Sequence, residues 1–238
     1  MKQEYDDICV PQGFSAAGTY SGLCKNRVKL DLAMIVSRTD CSIVTAREGM
    51  ITCTIGKTLV LHNGTALPQG KRGKEIRQEI CQAVSKQLGM PSYDVALGAY
   101  GDTHQYFKPS LLISSLATLT AAVSPSHGSQ VSTVIDNNGD VSGSSVEFCS
   151  TCHMSGIAAD GIPGQSGLCI ITTDVATSPQ QIEKALVLSH QLMDLEEFTV
   201  IVMSNGVAGC SANAAELAQA MQQVFKELGF RDALQACS

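Results

Sequence analysis

Leu168-Cys-Ile-Ile171 is an unbroken apolar run, closed by Thr172-Thr173-Asp174 and entered from a loop rich in Gly, Pro, Asp and Ser. Apolar residues with no polar interruption over that length read as a buried strand. The stretch from Cys152 to Thr177, CHMSGIAADGIPGQSGLCIITTDVAT, therefore hands one small hydroxyl residue, Ser166, to the start of a rigid buried element. Hydrolases and acyl transferases can present a nucleophile in this way. A Ser beside Gly is also an ordinary turn former.

The remaining elements fall on both sides of that strand. Residues 1–30 read as an irregular arm with a turn at Pro11-Gln12-Gly13. Four short β-rich runs follow, Asp31 to Ser37, Cys41 to Ala46, Met50 to Thr54 and Thr58 to His62, with the cadence of an antiparallel meander ended by Asn63-Gly64. Ile76, Ile80, Val84 and Leu88 have helical spacing, stopped by Gly89. Asp94 to Ala99 reads as a strand and Pro109 to Val123 as a helix. Residues 124–145 are rich in Ser, Gly, Asn and Asp and form the candidate sub-boundary of a single 1–238 unit, with Val131 to Ile135 as an edge strand. Ser178-Pro-Gln-Gln181 starts a helix, with a Ser cap and Pro at the first position. Thr199 to Ser204 is a strand, and Ala215 to Leu228 an amphipathic helix stopped by Gly229. The mixture gives a layered α+β class.

A net charge of −6 argues against nucleic acid as a partner, because phosphate binding needs clustered Lys and Arg. The one basic cluster, Lys71, Arg72, Lys74 and Arg77, reads as a solvated helix start. The longest mostly apolar stretch, Leu111 to Val123, is too short for a bilayer, so no membrane partner is expected. MKQEYDDICVPQGF has no apolar signal core, and most of the ten Cys sit inside apolar runs. They read as small buried hydrophobes in a reducing cytoplasm.

Cys149-Ser-Thr-Cys152-His153 spells a haem-attachment pattern, but without export signals or a second Cys/His pair it reads first as two small residues between strand and loop. A redox or metal pair is the minority reading. His62 and His127 lie beside turn signals and read as surface residues. There is no Gly-x-Ser-x-Gly elbow, phosphate loop or dinucleotide fingerprint; Gly161 to Gly167 lacks the Lys of a phosphate cradle.

Val10-Pro-Gln-Gly-Phe-Ser-Ala-Ala-Gly18, followed by Asp31 to Ser37, resembles the opening of the ornithine acetyltransferase (ArgJ) family. Ser155-Gly156, then Ser166-Gly-Leu-Cys-Ile-Ile-Thr-Thr-Asp174, resembles its nucleophile region, and Thr199 to Gly209 a later strand and turn. The resemblance touches nearly the whole chain and identifies a shortened, divergent member. It implies a DmpA/ArgJ-like αββα sandwich, two stacked sheets between helix layers. It also implies an N-terminal-nucleophile acyltransferase or amidohydrolase acting on an N-acyl amino acid, with N-acetylornithine as donor and glutamate as acceptor in the family. No cofactor or metal is implied, and a homo-oligomer is.

In the family a Thr freed by self-cleavage forms the acyl-enzyme, with its new α-amine as base. Counting back from Thr172-Thr173-Asp174 puts that position on Ser166. The oxyanion pair falls on Tyr100-Gly101, a substrate Lys on His153, and the Ser of Ser-Gly on Ser155. Departures accumulate: Ser for Thr at 166, Gln165 before the cleaved bond, Tyr for the oxyanion Thr, and a chain ending at Ala236-Cys-Ser238. The alternative is a non-catalytic scaffold or subunit that has lost turnover.

Overall fold

The computed structural model describes residues 7–24, 29–47, 50–65, 67–68, 70–102, 107–136, 141–149, 151–160, 166–192, 195 and 197–230. Its strands are β1 (Phe14–Thr19), β2 (Leu32–Arg47), β3 (Met50–Thr65), β4 (Val95–Asp102), β5 (Val141–Cys149), β6 (Cys152–Ala159), β7 (Gly167–Thr173) and β8 (Phe198–Ser204). The helices are α1 (Gly70–Leu88), α2 (Pro109–Ala121), α3 (Ser129–Ile135), α4 (Pro179–Leu192) and α5 (Ala214–Glu227).

Two long strands hold the layers together. The first half of β2 pairs with β1 and with Thr58–His62, whereas its second half, Cys41–Arg47, pairs with Met50–Gly56 and with β8. The register breaks between Val36 and Cys41, where the ribbon passes from one layer to the other. Gly56 stands at that corner, and a Cβ there would lie 2.6 Å from the Asp94 carbonyl oxygen. Glycine lets two backbones approach this closely. The sequence expectation of four short strands is thus corrected to two long bent ones, because turn residues mark the bend as readily as a chain reversal. The full order is β4-β3-β2-β8-β7-β6-β5, with β1 on β2.

Alternation along each strand builds three apolar layers. Met34 and Val60 point outward to Ile76, Ile80 and Val84 of α1 and Leu112, Leu116 and Leu119 of α2. Ala33, Ile35, Leu59 and Leu61 point inward and meet Ile157, Leu168, Ile170, Ile201 and Met203 from the other layer. Cys169, Ile171, Val200 and Val202 point out to α4 and α5. Every residue of β7 is buried, because both of its faces are covered. The result is the αββα sandwich, with α1, α2, α4 and α5 outside and one shared core between the sheet layers.

Further expectations are corrected. The arm before residue 30 contributes β1, which pairs with β2. Cys152–Ala159 is a buried strand rather than the start of a loop. Residues 129–135 form α3, with Val131, Val134 and Ile135 buried in the inter-layer core, so Val131 to Ile135 is not an edge strand. Asn63 continues β3 instead of ending it, and is buried. The Ser178 cap is present, its hydroxyl accepting from Gln181 N–H at 3.3 Å. Gly89 and Gly229 both follow helices with positive φ, +66° and +95°. The side chains of Lys71 and Arg72 are solvated. Among the described residues, no helix is long and apolar enough to cross a membrane.

Candidate functional site

Ser166 is half-buried and directly precedes β7. Its neighbour fixes the local path. Gly167 N–H donates to the Glu197 carbonyl at 2.7 Å, and the two strands then pair in parallel from Gly167 and Phe198 onward. A Cβ at Gly167 would fall 2.4 Å from the Phe198 ring, so Gly at 167 lets the ring close over the strand entry. Gln165, with the rest of 161–165, lies outside the described residues, as do 103–106 and 231–238.

Tyr100-Gly101 ends β4, and its backbone pairs in parallel with Asn63-Gly64 of β3. The buried Asn63 amide donates to the Val134 carbonyl of α3 at 2.9 Å. Val134 and Ile135 share the inter-layer core with Leu168, the second residue of β7. Asn63 was missed in the sequence because Asn-Gly is a strong turn signal.

His153 and Ser155 lie elsewhere. Ser155 pairs with Thr172, six residues along β7 from Ser166, a separation of roughly 20 Å at strand rise. Its hydroxyl is buried, donating to the Asp7 carbonyl at 2.9 Å and lying 3.2 Å from that of Ser144. His153 N–H donates to Asp174 Oδ1 at 2.7 Å, and its Nδ1 lies 3.6 Å from Oδ2 of the same buried carboxylate. Gln12 N–H also donates to Oδ2, at 2.8 Å. Asp174 thus anchors the N-terminal segment to the far end of β7. The structure groups His153, Ser155 and Asp174 together and separates them from Ser166.

The cysteine reading is corrected as well. Cys152 is joined in a disulfide to Cys210, across 58 residues of chain, so it is not half of a free Cys149–Cys152 dithiol. Cys149 and Cys152 are backbone partners across the β5–β6 hairpin. Nothing in local spacing announces that the loop after β8 returns to β6. Among the described residues no three His, Cys, Asp or Glu side chains gather as a metal site. The buried thiols are poor nucleophiles: desolvation pushes Cys41 up to about 12 and raises Cys169 further, while desolvation and then the Asp7 charge push Cys9 up to about 12.

His62 is fully buried on β3, not at the surface, with its ring centroid 4.8 Å from that of Phe107. Desolvation, then the Arg77 guanidinium, lowers its pKa to about 3. His127 is half-buried, with Nδ1 2.8 Å from the Ala122 carbonyl.

Two sheet layers between helix layers, joined through bent strands and with a hydroxyl residue at the head of a buried central strand, define an ArgJ-like αββα fold. No protein-family model matches the chain. It is 22% identical over 245 residues to the chloroplastic arginine biosynthesis bifunctional protein ArgJ of Sorghum bicolor, covering 88% of this chain and 53% of that protein. The ArgJ protein of Zea mays is 26% identical over 140 residues, 52% of this chain and 30% of its own length. The chain thus spans about half the length of the Sorghum relative, and less of the maize one. Ornithine acetyltransferase of Mycobacterium tuberculosis, solved with ornithine, superposes with a TM-score of 0.52 at 15% identity, over 65% of this chain and 86% of that one. The PH0078 protein of Pyrococcus horikoshii also gives 0.52, at 10% identity, over 94% and 85%. The chain is thus similar in sequence to ArgJ proteins and shares the fold of ornithine acetyltransferase, at a divergent distance from both.

Proposed function

We propose that the protein is an acyltransferase or amidohydrolase of the N-terminal-nucleophile type, acting on an N-acyl amino acid through an acyl-enzyme on Ser166. The observation that carries this reading is the placement of Ser166, half-buried at the entrance to a strand that is itself wholly buried. A nucleophile joined directly to such an element is held more precisely than one on a long loop. Period-two alternation puts position 166 in series with Leu168 and Ile170, whose side chains point between the layers. The Gly101 backbone belongs to the strand end tied through Asn63 to α3, which packs against the same core.

In this reading the Ser166 α-amine, freed by cleavage after Gln165, takes the hydroxyl proton. The hydroxyl oxygen attacks the acyl carbonyl, and the Gly101 N–H donates to the developing oxyanion. The α-ammonium then returns its proton to the departing amine as the intermediate collapses to the acyl-enzyme, and glutamate or water, deprotonated by the same α-amine, takes the acyl group. Tyr100 contributes backbone only. His153 and Ser155, the substrate-binding positions the resemblance implies, lie toward the far end of β7 and are given no step in this reading. Ser166→Ala abolishes chain cleavage and lowers turnover at least about 10³-fold, whereas Ser166→Thr keeps a hydroxyl and retains both. A free α-amine base makes activity rise with pH through about 8. An uncleaved chain with no acylation would instead favour the scaffold reading, to which Tyr100 and Gln165, both departures from the family pattern, already point.

A further inference from the structure

The stretch Met50–Gly56 pairs on one side only. Its partner there is β2, while β4 pairs with β3 only from Thr58 onward and Gly56 lies against Asp94, so among the described strands the outer hydrogen-bonding edge of Met50–Ile55 has no neighbour. Natural sheet edges are normally protected by charge, proline or a covering element. This one has neither charge nor proline between Met50 and Gly56. Residues 52–55 are exposed, with Met50 67% and Ile55 52% accessible.

The sequence of the edge is Ile51-Thr52-Cys53-Thr54-Ile55, a palindrome. Two antiparallel copies related by a two-fold axis through Cys53 would set Ile51 opposite Ile55, Thr52 opposite Thr54 and Cys53 opposite its own copy. Every cross-strand pair is then matched in kind: β-branched with β-branched, hydroxyl with hydroxyl. A two-fold interface requires this self-complementarity. A strand pair alone covers less than the ~1,200 Å² of a stable interface. Helix α4 packs over the same edge. Glu183 is close enough to act on the Cys53 thiol, and Val187, 44% exposed, lies one turn further along that helix face. Edge-to-edge pairing would bring two α4 helices together above a continuous sheet, adding Val187 to the buried apolar surface.

We infer that the Ile51–Ile55 edge is a homodimer interface, occupied by the same segment of a second copy. The inference is independent of any catalytic role for Ser166. Light scattering coupled to size exclusion should give twice the 25.1 kDa chain mass for the wild type. Cys53→Lys puts like charges opposite each other at the axis, and should return the chain mass with an unchanged circular dichroism spectrum. Mixing it with Cys53→Asp should restore the dimer. A short bis-maleimide should cross-link the wild type to dimer and fail on Cys53→Ser, a comparison that does not depend on how the lysine variant folds. A monomeric wild type, a dimer indifferent to Cys53→Lys, or a cross-link that survives Cys53→Ser would each overturn the inference.

Discussion

His62 carries the clearest pH consequence in the chain. Its pKa in the folded protein, about 3, lies below the ordinary 6.5, so the unfolded chain binds a proton that the folded chain refuses. The neutral ring is compatible with folding above pH 6.5. Stability is lost as pH falls from there toward 3, at up to about 1.4 kcal/mol per pH unit from this group alone. Asp and Glu titrate over part of the same window, so the test is a difference. Urea unfolding of wild type and His62→Leu should converge in slope above pH 7, with the wild type losing more stability between pH 6 and 4. Identical pH profiles would show that His62 is not held neutral.

Among the elements, α5 and the β3 corner depend on single residues. Asn213 accepts from Ala215 N–H and Glu216 N–H, while the Glu216 carboxylate accepts from Asn213 N–H at 2.9 Å, completing a capping box. Asn213→Ala should cost about 1 kcal/mol, read as a lowered thermal midpoint with full helix content. Gly56→Ala meets backbone rather than a yielding side chain and should cost about 1–3 kcal/mol; an unchanged midpoint would mean the two strands are not in contact there. Helices α1, α4 and α5 were legible in the sequence because each exposes one face, so period and caps both show. Strands covered on both faces lose their alternation, which hid the continuity of β2 and β3. The Ser-Gln-Val-Ser-Thr-Val-Ile of α3 has β propensity in isolation, but tertiary packing of Val131, Val134 and Ile135 overrides it. The Cys152–Cys210 bridge depended on a loop position that no local signal encodes.

At the scale of the whole molecule, the sandwich is held by one shared core rather than by two independent sheets, because β2 and β3 belong to both layers. That arrangement places Ser166 at the entry of β7 and removes His153 and Ser155 to its far end, a division the linear motif could not reveal. The resemblance pointed to the fold; strand register adds that Ser166 and the pair His153 and Ser155 stand toward opposite ends of β7. The most direct test of the catalytic account is intact-mass spectrometry of the purified protein, before and after exposure to N-acetylornithine. The account predicts two fragments divided between Gln165 and Ser166, with one acetyl group gained on the Ser166 fragment and neither event in Ser166→Ala. A single 25.1 kDa species that gains no acetyl group would contradict it.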